Sequence, residues 1–171
     1  MMMFTGFTPL LSNSSIVKAL TEPEKQYWQS YLNTSPAGLS KKIFVEASYA
    51  GNQSSTDQLL ALYLSGKKTA GSSMAEDFTS SGEPLPQVGN FWILLNSLDE
   101  PSCILRTERV VLTQFKNVSE EIARAEGEGD LSLQHWRDSH RRFFAPFLAG
   151  WGVAHIDEAT VVTEFFRIVH V

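Results

Sequence analysis

Gly66-Lys67-Lys68-Thr69-Ala70-Gly71-Ser72-Ser73 places two lysines and three hydroxyl side chains in one short stretch. A lysine amine becomes a base only where burial or a neighbouring cation lowers its pKa. Adjacent side chains of a strand point to opposite faces, so an inward Lys68 implies an outward, solvated Lys67. The same alternation turns Thr69 away from Lys68. Ser72 shares the Lys68 face but lies about 13 Å away along an ideal strand. A bulge or bend at Gly71 would shorten that distance. The plainer alternative is two solvent-facing lysines at a helix C-terminus, where cations are favourable.

A second group of candidates lies in Glu126-Gly127-Glu128-Gly129-Asp130. Glu126 ends a short helical pattern before two glycines, where the backbone can approach a ligand closely. A carboxylate there could accept a proton or hold an amino group; otherwise it belongs to an acidic surface turn. The alternating acids invite a calcium reading. An EF-hand loop counted from Glu126 would need glycine at position six and an acid at position twelve, and those positions hold Leu131 and Arg137. His135 and His140 are five apart rather than at the i, i+4 spacing of a helical metal pair. No metal site and no cofactor is therefore expected. Trp92, Trp136, Phe143 and Phe144 could stack on a base, although aromatics at helical spacing ordinarily form core. Arg106 stands in an apolar strand and needs an acid or a ligand as partner. Cys103 reads as a packed strand residue.

These residues need elements to hold them. Thr21-Glu22-Pro23-Glu24 is a capping box that opens a helix to about Leu32. Asn33 to Gly38 reads as a loop, and Lys42 to Tyr49 as a strand. Ser54-Ser55-Thr56-Asp57 caps a helix that ends at Gly66. KKTAGSSM is extended, GEPLPQVGN is a turn, FWILL is a buried strand, and NSLDEP joins it to the long strand CILRTERVVLTQF. Ser119 caps EEIARAE. A longer helix runs from near Ser132 to Gly150, and TVVTEFFRIVHV closes the chain as a strand. Strands joined by a hairpin and by single helices predict an α+β fold with a mixed, mainly antiparallel sheet curled into a barrel.

The chain has 171 residues, one cysteine and a formal net charge of −5. That length suits one domain that folds without staples. No intramolecular disulfide is possible, which fits a reducing compartment. The N-terminal stretch has no basic residue before Lys18 and its apolar runs are broken, unlike a signal peptide. No run approaches the roughly 18 apolar residues of a membrane helix, so a cytoplasmic protein without a membrane partner is expected. An acidic balance argues against gripping long nucleic acid by its phosphates and leaves room for a small neutral ligand.

Four segments together resemble the ASCH family of the PUA-like superfamily, in the subgroup long catalogued as a domain of unknown function. They are Gly66–Thr69, Leu85-Pro86-Gln87-Val88-Gly89-Asn90, Arg106-Thr107, and Glu126–Asp130 followed by Leu133, Trp136, His140, Phe143 and Phe144. The resemblance runs from about residue 45 to the C-terminus. It implies a helical accessory segment over residues 1–40, and a PUA-like β-barrel flanked by helices over 41–171. Its implied partners are RNA or a small nucleoside-like ligand. Some small members of the family remove the acetyl group of N4-acetylcytidine, and a relative cuts RNA. The amidohydrolase pattern places a lysine at Lys68 and a glutamate at Glu126. Its threonine position holds Gly71, its arginine position Ser73, and the aspartate of its Gly-Asp turn is Asn90.

Amide hydrolysis needs a nucleophile, a proton acceptor and an oxyanion donor. The resemblance thus implies Lys68 and Glu126 as the catalytic pair, with Thr69, Ser72, Ser73 or a water as nucleophile. Arg106, Ser72, Ser73, Asn90, Trp92 and His140 would bind substrate. Lys68 and Glu126 should converge on one concave pocket, because each offsets the other's cost of burial, and Arg106 should line it too. The alternatives are a non-catalytic module for RNA or a modified nucleoside, and a ribonuclease guided by Arg137, Arg141 and Arg142.

Overall fold

The computed structural model describes residues 19–35 and 44–171. The N-terminal stretch to Lys18 and most of the loop around Pro36 and Gly38 lie outside the described residues, as do Lys42 and Ile43 of the first expected strand. The elements in chain order are α1 (Glu22–Thr34), β1 (Val45–Tyr49), α2 (Thr56–Leu64), β2 (Ala70–Met74), α3 (Ala75–Ser81), β3 (Phe91–Leu95), β4 (Pro101–Gln114), α4 (Glu120–Glu126), α5 (Leu133–Phe144) and β5 (Thr160–His170). The strands form one sheet in the order β1-β3-β4-β5-β2. β1 runs parallel to β3 and the other pairs are antiparallel. This is an α+β half-barrel, with the sheet curled so that its edge strands β1 and β2 flank one cavity.

Alternation sorts each strand between two faces. Phe91, Ile93, Leu95 and Ile104 pack outward beneath Trp28 and Tyr31 of α1. Leu94, Cys103 and Leu105 pack inward with Leu60 and Tyr63 of α2, beside Trp92 and Phe166. A third cluster joins Ile122 of α4 and Trp136 and Phe144 of α5 to Met74, Phe115 and Val161. Local signals hold these elements in place. The Thr21 amide donates to Glu24 Oε2 at 2.8 Å, completing the capping box of α1. Asn96 Oδ1 accepts the amides of Leu98 and Glu100 at 2.9 Å each and closes the β3–β4 hairpin.

Three expectations change. Ser55 makes no capping bond to α2; instead Asn52 Oδ1 takes the Ser54 and Ser55 amides, and Thr56 is recruited inward to the Leu95 carbonyl at 2.7 Å. Helix α3 has no counterpart in the sequence reading: seven residues are too few for a periodic signal, and the burial of Phe78 against Val162 holds the turn. Helix α5 stops at Phe144, not Gly150, because Pro146 has no amide to continue it. Phe147, Leu148 and Trp151 continue the apolar packing in turns. No described helix is long and apolar enough to cross a membrane.

Candidate functional site

The segment between α2 and β2 is gripped on three sides. The amides of Lys67 and Lys68 both donate to the Leu62 carbonyl of α2 at 3.0 Å. The Thr69 amide donates to Ala125 of α4 at 2.7 Å, and its carbonyl accepts from Phe166 of β5 at 2.8 Å. Helix α4 ends at Gly127 in the left-handed region, φ +68°. A Cβ there would run into the Lys67 carbonyl. That close backbone approach, open only to glycine, seats the end of α4 against Lys68.

Lys68 Nζ consequently lies 3.3 Å from Glu126 Oε2, 3.4 Å from the Glu126 carbonyl and 2.7 Å from Glu128 Oε1. The Lys68 and Glu126 side chains are 5% and 3% exposed, so this is an ion pair withdrawn from water. Trp136 Nε1 donates to Glu126 Oε1 at 2.7 Å. His140 Nε2 stands 3.5 Å from Glu126 Oε2, its Nδ1 meets the Trp136 carbonyl at 2.8 Å, and its ring stacks on the indole at 3.9 Å. The Ser72 hydroxyl meets Thr163 Oγ1 at 2.8 Å and helps hold the Glu126 carboxyl acidic.

Burial alone would raise the pKa of Glu126, but Lys68, then His140 and Ser72, outweigh it and hold the carboxyl well below the usual range. Burial works against the Lys68 ammonium, and Glu126, followed by Tyr63 and Glu128, more than restores it, so Lys68 stays charged. Glu164 is different. It is half-buried, accepts from the Thr107 hydroxyl at 2.8 Å, and is pushed up to about 7 by burial that the hydroxyl only partly offsets.

These groups share a cavity of about 440 Å³. Tyr63, Trp92 and Phe166 form its aromatic wall, with ring centroids 5.7–6.2 Å apart. Lys68, Ser72, Ser73, Trp92, Glu126 and His140 all line it. The sequence reading left the Ser72–Lys68 distance as an obstacle; in the fold both residues line one cavity together with Glu126 of α4.

Three other candidates do not reach the cavity. The Thr69 hydroxyl donates to the Ala125 carbonyl at 3.2 Å and does not line the cavity. Arg106 alternates to the outer face with Ile104, where it pairs with Glu108 at 2.7 Å and lies over Phe91. Asn90 serves the turn before β3, its amide donating to Gln87 and its carbonyl accepting from Thr107. The sequence reading missed Glu46, Asp77 and Glu164, carboxylates that line the cavity. Glu164 carried the signal that drew attention to Arg106, a charge within an apolar strand. Which of the two faces inward depends on register, and β4 carries a bulge between Thr107 and Arg109.

A family model for the ASCH domain matches residues 46–170. Among solved structures, the chain is similar to an ASCH domain from Lactobacillus crispatus at 29% identity and a TM-score of 0.82, covering 90% of this chain and 98% of that one. It is also similar to a protein from Enterococcus faecalis at 28% identity and a TM-score of 0.74, covering 87% and 89%. No curated protein matches it.

Proposed function

The chain belongs to the ASCH domain family, and on that footing we propose that it hydrolyses the amide of a small nucleoside-like substrate of the N4-acetylcytidine kind. The observation that carries this reading is the buried Lys68–Glu126 pair on the wall of an aromatic cavity. Its volume, about 440 Å³, falls in the range of small-molecule sites rather than polymer grooves. The side faces of Tyr63, Trp92 and Phe166 offer a planar ring an apolar bed. Lys68, fixed by Glu126 and Glu128, is a positive charge already oriented before substrate arrives. Such a charge favours the oxyanion formed when a carbonyl is attacked, and it needs no reorganisation to do so.

The test is release of acetate from N4-acetylcytidine by the purified protein. Lys68→Met should lower kcat by about 100-fold or more if the ammonium stabilises the oxyanion. Circular dichroism of the variant separates lost chemistry from lost fold. No release above background would remove this reading.

One observation favours a second reading, a binding module for a modified nucleoside or an RNA end. Gly71 supplies no hydroxyl where the amidohydrolase pattern has one. A nucleoside that raises Tm while no acetate appears would support it. Affinity for RNA falling steeply with salt would point to the polymer. Ribonuclease action is least supported, because Arg141 is spent on Asp157 and Arg137 on the Lys116 carbonyl.

A further inference from the structure

Taking the hydrolytic reading as premise, we infer that Glu164, rather than Glu126 or Lys68, is the proton-transfer group of the cavity, activating a water held over Gly71. The case begins with what Glu126 has left to offer. One of its oxygens accepts from Trp136, and the other faces Lys68 and His140. A carboxylate so fully engaged, and held so acidic, is a poor base. Lys68 has no lone pair while its ammonium bonds the Glu126 carbonyl, Glu126 Oε2 and Glu128 Oε1. The pair therefore fixes charge and does not move protons.

Among the described residues, Glu164 has one hydrogen bond, from Thr107, and no cation beside it. The β2–β5 register sets it directly across from Gly71. Directly opposed residues of an antiparallel pair share a face, about 5 Å apart. Gly71 has no side chain, and the place where a Cβ would stand is bounded by Tyr63 Oη at 3.3 Å and Phe166 at 3.6 Å. The position without a hydroxyl is thus the one paired with Glu164, and both residues line the cavity. The titratable and polar groups around the cavity are Tyr63 from α2, Lys68 before β2, Glu126 and Glu128 at the end of α4, His140 from α5, Glu46 and Tyr49 from β1, Asp77 from α3 and Thr107 from β4. Tyr63 holds its proton, chiefly through burial, and does not compete as a base.

The reaction balances with these groups. Glu164 takes one proton from water as the water oxygen bonds to the acyl carbon. The carbonyl electron pair moves to oxygen, and the oxyanion faces Lys68. Its collapse breaks the C–N bond while Glu164 returns its proton to the departing nitrogen. The products are a carboxylic acid and a free amine. A group that is protonated and ionised in comparable amounts near neutrality suits both transfers.

The experiment measures acetate release from N4-acetylcytidine between pH 5.5 and 8.5 for the wild type and Glu164→Gln. It is joined by carbon-13 titration of glutamate carboxyls, with Glu164 assigned by its absence from the variant. The expected result is a kcat at least about 100-fold lower in the variant with KM little changed, loss of the acid limb of the wild-type profile, and a Glu164 midpoint near 7. Full activity in Glu164→Gln, or a Glu164 midpoint in the ordinary carboxylate range, overturns this inference and leaves the hydrolytic reading standing. No acetate from the wild type overturns both.

Discussion

Lys68 and Glu126 show how a buried ion pair depends on completeness. Their attraction offsets two desolvation costs, so losing one partner leaves the other charge stranded. Lys68→Met should destabilise the fold by about 3–5 kcal/mol in denaturant unfolding, and Glu126→Gln added to it should recover part of that loss. Equal, additive losses would show that the two side chains do not communicate. Glu164 gives a pH-dependent counterpart of opposite sign. Its folded pKa of about 7 lies above the ordinary value of 4.5, so the native state holds the proton more tightly. The stability this gives is present below about pH 4.5 and is lost as pH rises through 7. Glu164→Gln keeps the neutral form at every pH. It should match the wild type near pH 4.5 and exceed it by on the order of 3 kcal/mol at pH 8. A gap that does not change with pH would contradict the burial argument. Glu126 runs the other way: its folded pKa is depressed, so its contribution is present above the unfolded value and fades as pH falls below it.

At the scale of elements, the site depends on how α4 ends. Gly66 and Gly127 both follow helices at nearly the same φ, +72° and +68°. A Cβ at Gly66 meets nothing within 4 Å, whereas at Gly127 it meets the Lys67 carbonyl. Gly66→Ala should therefore cost about 1–2 kcal/mol, the left-handed penalty alone. Gly127→Ala should cost clearly more, and should also lower acetate release by shifting Glu126 away from Lys68. Thermal unfolding of the two variants side by side checks this; equal costs would mean that the contact gives way without strain. Most element types were legible from caps and periodicity. The β3–β4 hairpin carried Asn-Ser-Leu-Asp-Glu-Pro, and α4 carried Ser119 before an acidic turn. Helix α3 was not, because Phe78 is its only buried residue and the partner that holds it, Val162, lies in β5.

At the scale of the molecule, the sheet separates two environments. Its outer face is closed by α1, where Trp28 and Tyr31 stack against Phe91 with centroids 5.0 and 5.7 Å away. Its inner face holds the cavity. Trp28→Ala should cost about 3–5 kcal/mol of stability through the void it leaves. With the fold still intact at low temperature, it should leave the KM for a nucleoside substrate unchanged, since Trp28 touches no cavity residue through its ring contacts. A large KM shift would mean that the two faces are coupled through the sheet. Helix α1 is on this view a cover for the outer face rather than a part of the site.

Sequence alone determined what local physics determines. Thr21 and Glu24 specify the start of α1, Gly66 the end of α2, and the alternation in Cys103–Phe115 a strand half-buried on each side. Motifs separated by tens of residues carried the resemblance, and with it the meeting of Lys68 and Glu126. Sequence could not say which charge in a strand faces the cavity. Arg106 and Glu164 occupy equivalent-looking places in apolar runs, yet a bulge in β4 and the β2–β5 register send one outward to Glu108 and the other inward to Thr107. A shift of one residue reverses every side chain on a strand, and that shift is fixed by partners distant in the chain. The proton affinity of Glu164 follows from the same cause, since its burial exists only once the sheet has curled around it.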